Sequence, residues 1–581
     1  MEPRSCAAKR SNERQRRAQG RFDAEGTALI YLMTKRGLSA RMPCMSKYIL
    51  VTSGVCSSLG KGVASSTIGS LLECSGLKIA MMKCDPYINV DAGNISPYQH
   101  GEVYVTEDGA ETDLDLGNFS RFTSVNLSGE HCLTIGKVYE NVIKNERAGR
   151  YNGRTVQVIP HITDEIKRCI RHVGTSTGAD VVVVEIGGTV GDIEAVPYLE
   201  ATRQLVRELG KNNAISVHLT LVPVITGGEL KSKPTQHSVK QLQEVGIQPD
   251  ILLCRCEGNI EAGMKRKIAL FCNVSEKSVF ASPDIEKSIY ELPVIFHEQG
   301  LDKIILDKLE LGNGTTDISK WTDFLSRLNN PEKTVRIAMV GKKDYLDNCY
   351  KSVQESLFHA AVTGNSSALS IKKIDAENLE HSENTQEALE SAFADVDGIV
   401  VPGNYGQRGF LGLLFAVRYA RENKIPFLGI DLGMQLMAID TARNLCGWED
   451  ADTTEFIQNS EHPVISLPEE QTGLSDGVMK LGAGEITVIP DTRLFSIYNN
   501  VGISERHRSK YTFDRRYTKD MTEHGLITCA VSASDGQTEG FEWQEHPWGI
   551  GVQYHPEFVS RPFKPHPLFT SFVRACISYR N

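Results

Sequence analysis

From Tyr48 onward, short apolar runs alternate with longer amphipathic stretches. The runs at 48–52, 180–186, 217–222 and 251–254 predict β-strands, and the stretches between them predict helices. Val181, Val182, Val183 and Val184 follow one another without a polar interruption. A strand apolar on both faces belongs inside a parallel sheet covered by helices on each side, so the first unit reads as doubly wound α/β. The texture breaks at Gly312-Asn313-Gly314-Thr315-Thr316-Asp317 and again at Asn329-Asn330-Pro331, on either side of an amphipathic piece near Trp321. That is linker chemistry. A second α/β series restarts at 335–340, continues through 399–401 and reaches an apolar strand at 425–430. The expected organisation is a first unit at 45–310, a linker at 311–334 and a second unit at 335–581.

Length and charge narrow the classes. A chain of 581 residues holds about two to four domains of ~100–200 residues each. The net charge of -10 argues against a general nucleic-acid binder, so an anionic substrate must be met by local cations. The 14 cysteines follow no repeating frame, and several sit in apolar runs, as reduced thiols do in a cytoplasmic protein. No apolar run reaches the ~18 residues of a membrane span. Residues 1–44 differ from the rest: Arg4, Lys9, Arg10, Arg14, Arg16, Arg17, Arg21, Lys35, Arg36 and Arg41 stand against Glu2, Glu13, Asp23 and Glu25, with no sustained apolar period. They read as a basic, disordered extension, or as sequence ahead of a start at Met45. The acids weigh against a mitochondrial presequence.

Two constellations carry chemistry in the first unit. The strand at 48–52 opens into Ser53-Gly54-Val55-Cys56-Ser57-Ser58-Leu59-Gly60-Lys61-Gly62, followed by a helix-compatible run. Such a loop wraps backbone N–H groups around phosphates and sends a lysine to the terminal oxygens. Gly62 stands where a strict phosphate loop has the Ser or Thr that holds magnesium, so the metal needs other ligands. Asp115, in a polar loop, and Glu185, at the carboxyl end of the valine strand, are the candidates. Without a cation, Glu185 would be a costly, unpaired buried acid.

In the second unit, Pro426-Phe427-Leu428-Gly429-Ile430-Asp431-Leu432-Gly433-Met434-Gln435 has the frame of a nucleophile elbow: a buried strand, a glycine-flanked turn and a helix. It resembles the class I glutamine amidotransferases, whose elbow residue is cysteine. Here it is Asp431, a weaker nucleophile that would have to form an anhydride with an amide substrate. The base and its orienting carboxylate survive as His555 and Glu557.

Further segments extend the resemblance. Lys83-Cys84-Asp85-Pro86-Tyr87-Ile88-Asn89-Val90-Asp91, His100-Gly101-Glu102-Val103, Val156-Gln157-Val158-Ile159-Pro160-His161-Ile162-Thr163 and Lys233-Pro234-Thr235-Gln236-His237 are similar, almost letter for letter, to segments of the CTP synthases. Residues 45–581 are thereby identified as resembling that family. The resemblance implies a P-loop-like synthetase unit followed by an α/β amidotransferase-like unit. It also implies a reaction in which ATP phosphorylates the 4-oxygen of UTP and ammonia displaces phosphate to give CTP. It places Ser57, Ser58, Leu59, Gly60, Lys61, Gly62 and Asp115 at the ATP and UTP phosphates, with Lys83 stabilising charge at the transferred phosphoryl group. Asp115 and Glu185 would hold Mg2+. Ser57, Asp192, Ile193, Glu194, Lys231, Ser232, Lys233, Pro234, Thr235, Gln236 and Lys267 would line the UTP site and its CTP-inhibitor counterpart. The implied assembly is a homotetramer, with filaments as a further option, and GTP is a candidate allosteric effector.

The amidotransferase unit departs from the family pattern at three places. The usual Pro-Gly-Gly-Phe-Gly is Pro402-Gly403-Asn404-Tyr405-Gly406, the usual Arg-Tyr-Glu is Lys510-Tyr511-Thr512, and the nucleophile is Asp431. Lysine lacks the planar fork that suits a carboxylate. Gly403, Leu432, Gln435, Glu455, His555 and Glu557 persist as a remnant glutamine site, in which Asp431 and His555 are expected to form an ion pair. Ser53 replaces a usual glycine, which an extended backbone tolerates. Two readings follow: a CTP synthase fed by free ammonia, or a non-catalytic, regulatory paralogue that assembles with an active enzyme. Four converging charges at Lys61, Lys83, Asp115 and Glu185 favour the first.

Overall fold

The structure, a computed structural model, describes residues 46–225, 227–312, 314–403, 406–457, 459–468, 471 and 477–580. The basic stretch 1–44 and Asn404 lie outside them.

Among the described residues, seven strands form the first sheet: β1 (Lys47–Ser53), β2 (Ile79–Asp85), β3 (Cys132–Thr134), β4 (Val181–Ile186), β5 (Ala214–Leu221), β6 (Ile251–Cys256) and β7 (Val279–Pro283). Their order is β7-β6-β5-β1-β4-β2-β3, every pairing parallel. All six residues of β4 are buried, which is why its sequence shows no alternation. The register sets Glu185 beside both Val51 and Lys83. The carboxyl ends of β1, β2 and β4 therefore converge at the switch point of the sheet, where open α/β folds bind ligands. Four helices matter to the site: α1 (Lys61–Cys74), α2 (Leu114–Phe122), α3 (Lys233–Glu244) and α4 (Ala262–Cys272). Asp115 lies in the first turn of α2, not in a loop as its polar neighbours suggested. Asp113 caps that helix by accepting from the Asp115 N–H at 2.9 Å, so the helix starts earlier than the periodicity indicates.

The stretch with linker texture contains α5 (Ser319–Asn329). Its Trp321 is buried, stacks near Tyr290 and donates from Nε1 to Ser70 Oγ of α1 at 2.9 Å. Glycine and asparagine punctuate the sequence here, but the apolar face of one short helix anchors the segment.

The second sheet has nine strands among the described residues: β8 (Lys333–Gly341), β9 (Ser367–Asp375), β10 (Gly398–Val401), β11 (Phe427–Ile430), β12 (Lys480–Val488), β13 (Gly502–Ser509), β14 (Leu526–Ser532), β15 (Thr538–Trp543) and β16 (Gly549–Val552). The order is β9-β8-β10-β11-β16-β15-β14-β12-β13, parallel from β9 to β16 and antiparallel beyond. Helix α6 (Lys351–His359) meets Glu102 and Arg121 of the first half through Ser352, and α7 (Leu432–Asn444) follows β11.

Residues from Lys47 on pack as one unit. Arg506 of β13 donates from Nη1 to Tyr104 Oη at 2.8 Å and to the carbonyls of Val105 and Phe558. Arg508 pairs with Glu111 at 2.9 Å. Glu102 accepts from the Ser352 N–H at the start of α6 at 2.9 Å. A buried, hydrogen-bonded seam thus joins the two sheets' halves. None of the described helices is long and apolar enough to cross a membrane.

Candidate active site

The glycine-rich loop expected at phosphate leaves β1 at Ser53 and enters α1 through Gly60, whose φ of 87° only glycine adopts without cost. The loop also holds Val55 at φ 81° and Ser58 at φ 61°, a strained path that exposes Ser57 and Ser58 and buries Leu59. Ser53 keeps a backbone open to any residue, and its Oγ accepts from Lys61 Nζ at 2.8 Å. Gly54 must stay glycine, because a Cβ there would come within 1.9 Å of Ser238 Oγ. Ser238 is in turn bonded at 2.8 Å to the buried His218, which burial, aided by the Lys61 charge, keeps neutral by pushing its pKa down to about 3. Lys61 Nζ also donates to the Gly188 carbonyl at 2.7 Å, and burial lowers its pKa. Gly62 lies flat against α2, where a Cβ would meet Asp115 Oδ1.

Lys83 is the hub of the charge cluster. Its Nζ is 2.5 Å from Asp115, 3.0 Å from Glu185 and 3.5 Å from Asp85. Glu185 is therefore not the unpaired acid its sequence position suggested, since the adjacent strand brings a cation to it. Burial works against the Lys83 charge, but Asp115, Asp85 and Glu185 outweigh it and hold the ammonium well above its usual range. Burial raises Asp85 to about 8 and Glu185 to about 7. Asp115 goes the other way despite its burial, because Lys83 and Asn118 bond its charged form.

A divalent cation fits this donor set. Glu185 Oε2 and Asp85 Oδ2 are buried without a hydrogen-bond partner, and hard cations take one or two such carboxylates besides water and phosphate oxygens. Both raised carboxyls hold protons more tightly folded than unfolded. The stability this contributes is present below the ordinary carboxylate range and is lost as pH rises through about 7 to 8. Magnesium binding, measured by calorimetry with nucleotides present, is expected to release protons and to tighten over that interval. The release should shrink in Glu185→Gln. A binding heat independent of the buffer's ionisation enthalpy would remove Glu185 and Asp85 from the metal's environment.

Of the residues expected at the pyrimidine nucleotide, Asp192, Ile193, Glu194, Lys233 and Lys267 are exposed, whereas Ser232, Thr235 and Gln236 are buried. Asp192, Ile193 and Glu194 follow β4, with Ile193 86% exposed. Gly191 abuts Gln241 of α3, which ties this loop to the helix. At the start of α3, Pro234 sits in the first turn, Thr235 Oγ1 donates to the Leu221 carbonyl at 2.9 Å, and Gln236 Nε2 donates to Ser232 Oγ at 3.0 Å. Lys233 lies over the Phe271 ring of α4 at 5.8 Å. Lys231 pairs with Glu229 at 2.7 Å, and Lys267 is close enough to act on the same carboxylate. Two lysines so placed offer cations to a triphosphate without a buried counter-charge.

The elbow is formed as its sequence predicts. Asp431 takes φ 51°, ψ -106°, between β11 and α7, and is 4% exposed. Gly433 allows the helix to approach β10, since a Cβ there would lie 2.2 Å from the Val401 carbonyl oxygen. His555 Nδ1–H donates to Glu557 Oε1 at 2.7 Å, while its Nε2 is buried without a partner. The expected Asp431–His555 ion pair does not form. Gln553 Nε2 instead donates to Asp431 Oδ1 at 2.6 Å, and Gln435 reaches both Gln553 and the Tyr511 carbonyl. A backbone N–H, that of Leu432, also points at the Asp431 carboxyl, which burial raises to about 6. Glu455 accepts from Gly406 N at 3.4 Å and feels the Lys510 charge.

A cavity of about 60 Å³ opens beside Gly403 and His555 and runs to Pro97, Glu102 and Val103 of the first half. A second, lined by Tyr87, His100 and Asp113, shares the Glu102 and Val103 wall. Sequence reading missed Asp85 and Gln553. Asp85 lies two residues from Lys83 on the same strand, where alternation puts such neighbours on one face, whereas Gln553 lies in the bend just after β16. It also missed Arg508 and Ser352, which become visible only when the two halves meet.

Residues 47–311 match the family model described as CTP synthase N-terminus, and residues 345–575 match that of class-I glutamine amidotransferase. The chain is 50% identical over 539 residues to a CTP synthase of Aquifex aeolicus, covering 92% of this chain and 99% of that one. It is 49% identical over 538 residues to a CTP synthase of Syntrophus aciditrophicus, covering 92% and 98%. A solved structure described as the Trypanosoma brucei CTPS glutaminase domain with bound acivicin is 34% identical, covering 42% of this chain and 94% of that chain with a TM-score of 0.40. With relatives this similar along nearly their whole length, the chain belongs to the CTP synthase family.

Proposed function

We propose that this protein makes CTP from UTP, ATP and free ammonia, and that its second half does not supply ammonia from glutamine. The observation that carries the reading is the contrast between the two halves. Lys61, Lys83, Asp115 and Glu185 converge at one strand-end cleft, while the elbow presents a carboxylate bonded to Gln553. Phosphoryl transfer needs fixed charges around the moving group more than covalent help. In this reading Lys61 turns from Ser53 and Gly188 to the transferred phosphoryl oxygens. Lys83 would hold the developing charge, and Asp115 and Glu185 would hold a magnesium ion, which would supply positive charge to offset that of the phosphates. Ammonia then attacks C4 of the phosphorylated pyrimidine, the C4–O bond breaks, phosphate leaves with the bonding pair, and one N–H proton is lost to solvent or the departing phosphate to give the 4-amine. Lys231, Lys233 and Lys267 neutralise the UTP triphosphate. A regulatory paralogue would have no physical need for a buried lysine ringed by three carboxylates.

The test is CTP formation by the purified chain from UTP, ATP and magnesium with ammonium chloride. Turnover with ammonium chloride supports the reading. A folded protein that binds both nucleotides and makes no CTP under any ammonium concentration would favour the regulatory alternative.

A further inference from the structure

The altered elbow has the chemistry of a cation site. Asp431 is buried, and among the described residues its side-chain partners are the neutral Gln553 amide and the Leu432 N–H. The charged groups around it are already engaged: Arg508 pairs with Glu111, Glu557 with His555, and Glu455 feels Lys342 and Lys510. His555 and Arg508 act on the Asp431 carboxyl from a distance, and among the described residues neither comes within ion-pair contact of it. A buried carboxylate without a cation in contact is costly and attracts one. A second observation points to the same gap. His555, 6% exposed, leaves Nε2 bare. A Cβ added to Gly403 would lie 3.2 Å from Asp431 Oδ2 and 3.1 Å from His555 Cε1, so the carboxylate and the imidazole flank one narrow space without touching.

We propose that this space captures ammonium ion and releases ammonia toward the first half of the protein. The idea rests on the ammonia-dependent reading above. Asp431 takes the positive charge, and an N–H of the ion points to His555 Nε2. That N–H bond breaks as the Nε2–H bond forms. The electron pair stays on nitrogen, and neutral ammonia enters the cavity beside Glu102 and Val103. The imidazolium, steadied by Glu557, returns its proton to water. The raised pKa of His555, due to Glu557 and Asp431 acting against burial, makes it a stronger base for this step. Ammonia in neutral solution is almost all protonated, so a site that binds the abundant ion gains over one that waits for the free base.

The experiment measures the ammonium dependence of CTP synthesis at constant ionic strength between about pH 7 and about pH 8. Capture of the ion predicts a KM for total ammonium that stays within about threefold, whereas capture of the free base predicts a fall of about tenfold per pH unit. Asp431→Asn, nearly isosteric, should raise that KM by about tenfold or more and leave the KM values for UTP and ATP in place. Potassium, of similar size but with no proton to give, should compete with ammonium in the wild type, sodium much less, and neither in Asp431→Asn. His555→Gln should keep the potassium effect and lose turnover at low ammonium. An unchanged ammonium KM in folded Asp431→Asn, or the free-base pH dependence in the wild type, overturns the proposal. Line broadening of ¹⁵N-ammonium by wild type and Asp431→Asn gives a readout independent of turnover. If the wild type makes no CTP, Asp431-dependent broadening sustains the site while the synthase reading fails, and equal broadening ends the site as well.

Discussion

Replacing Lys61 by alanine is expected to lower ammonia-driven CTP synthesis by at least about a hundredfold. A cation fixed in a dry site and aimed at developing phosphoryl charge contributes several kcal/mol, and about 1.4 kcal/mol is tenfold in rate. Lys61 is suited to this because the fold has prepaid its position. Gly60 directs the helix start, Ser53 and Gly188 hold the ammonium group, and burial removes competing water. The alanine variant should remain folded, since it removes a partly desolvated charge rather than core packing. Lys61→Arg should fail to restore the rate, because a forked guanidinium does not fit the two acceptors that hold Nζ. The check is steady-state CTP formation with saturating ammonium chloride, beside a thermal melt. Near-normal turnover in a folded Lys61→Ala protein would exclude Lys61 from the reacting phosphates.

With glutamine as sole nitrogen donor, CTP formation is expected to fall three or more orders of magnitude below the ammonium-supported rate. Loss of a nucleophile typically costs that much, leaving only what binding and oriented N–H groups provide. Asp431 has a carboxyl held by Gln553 and Leu432 N and raised to about 6, so near neutrality it is a weak nucleophile toward an amide. The base beside it is intact, which makes the elbow side chain the missing part. Glutamate release and CTP formation, measured against an ammonium chloride control, decide the point. Robust glutamine-driven synthesis would refute it. Asp431→Cys alone is not expected to restore glutamine use, since Asn404 and Lys510 also depart from the family pattern. The triple change to cysteine, glycine and arginine is the informative one.

Much of this was legible in the chain because the decisive features are local. The valine run announced a strand buried on both faces, Gly60-Lys61-Gly62 announced a glycine turn from strand into helix, and the Gly429 to Gly433 frame announced an elbow whatever residue stood at its tip. Each depends on period, φ preference or close backbone approach, which a few consecutive residues determine. Departures came where the partner is distant in sequence. The ion pair expected between Asp431 and His555 gave way to Gln553, which lies just past the end of β16 and donates to Asp431, while the imidazole is held by Glu557. Glu185 read as solitary until β2 set Lys83 beside it.

The sequence by itself determined the α/β character and the family, and it located the glycine-rich loop after β1 and the aspartate at the elbow, since all are written in neighbouring residues. Only the tertiary structure decided that one lysine sits among three carboxylates, that the linker texture hides an anchored helix, and that Arg506, Arg508 and Glu102 lock the halves around a shared cavity wall. The physical reason is that electrostatic energy depends on distance and burial between side chains far apart in the chain. Only sheet register and the docking of one half on the other set those quantities.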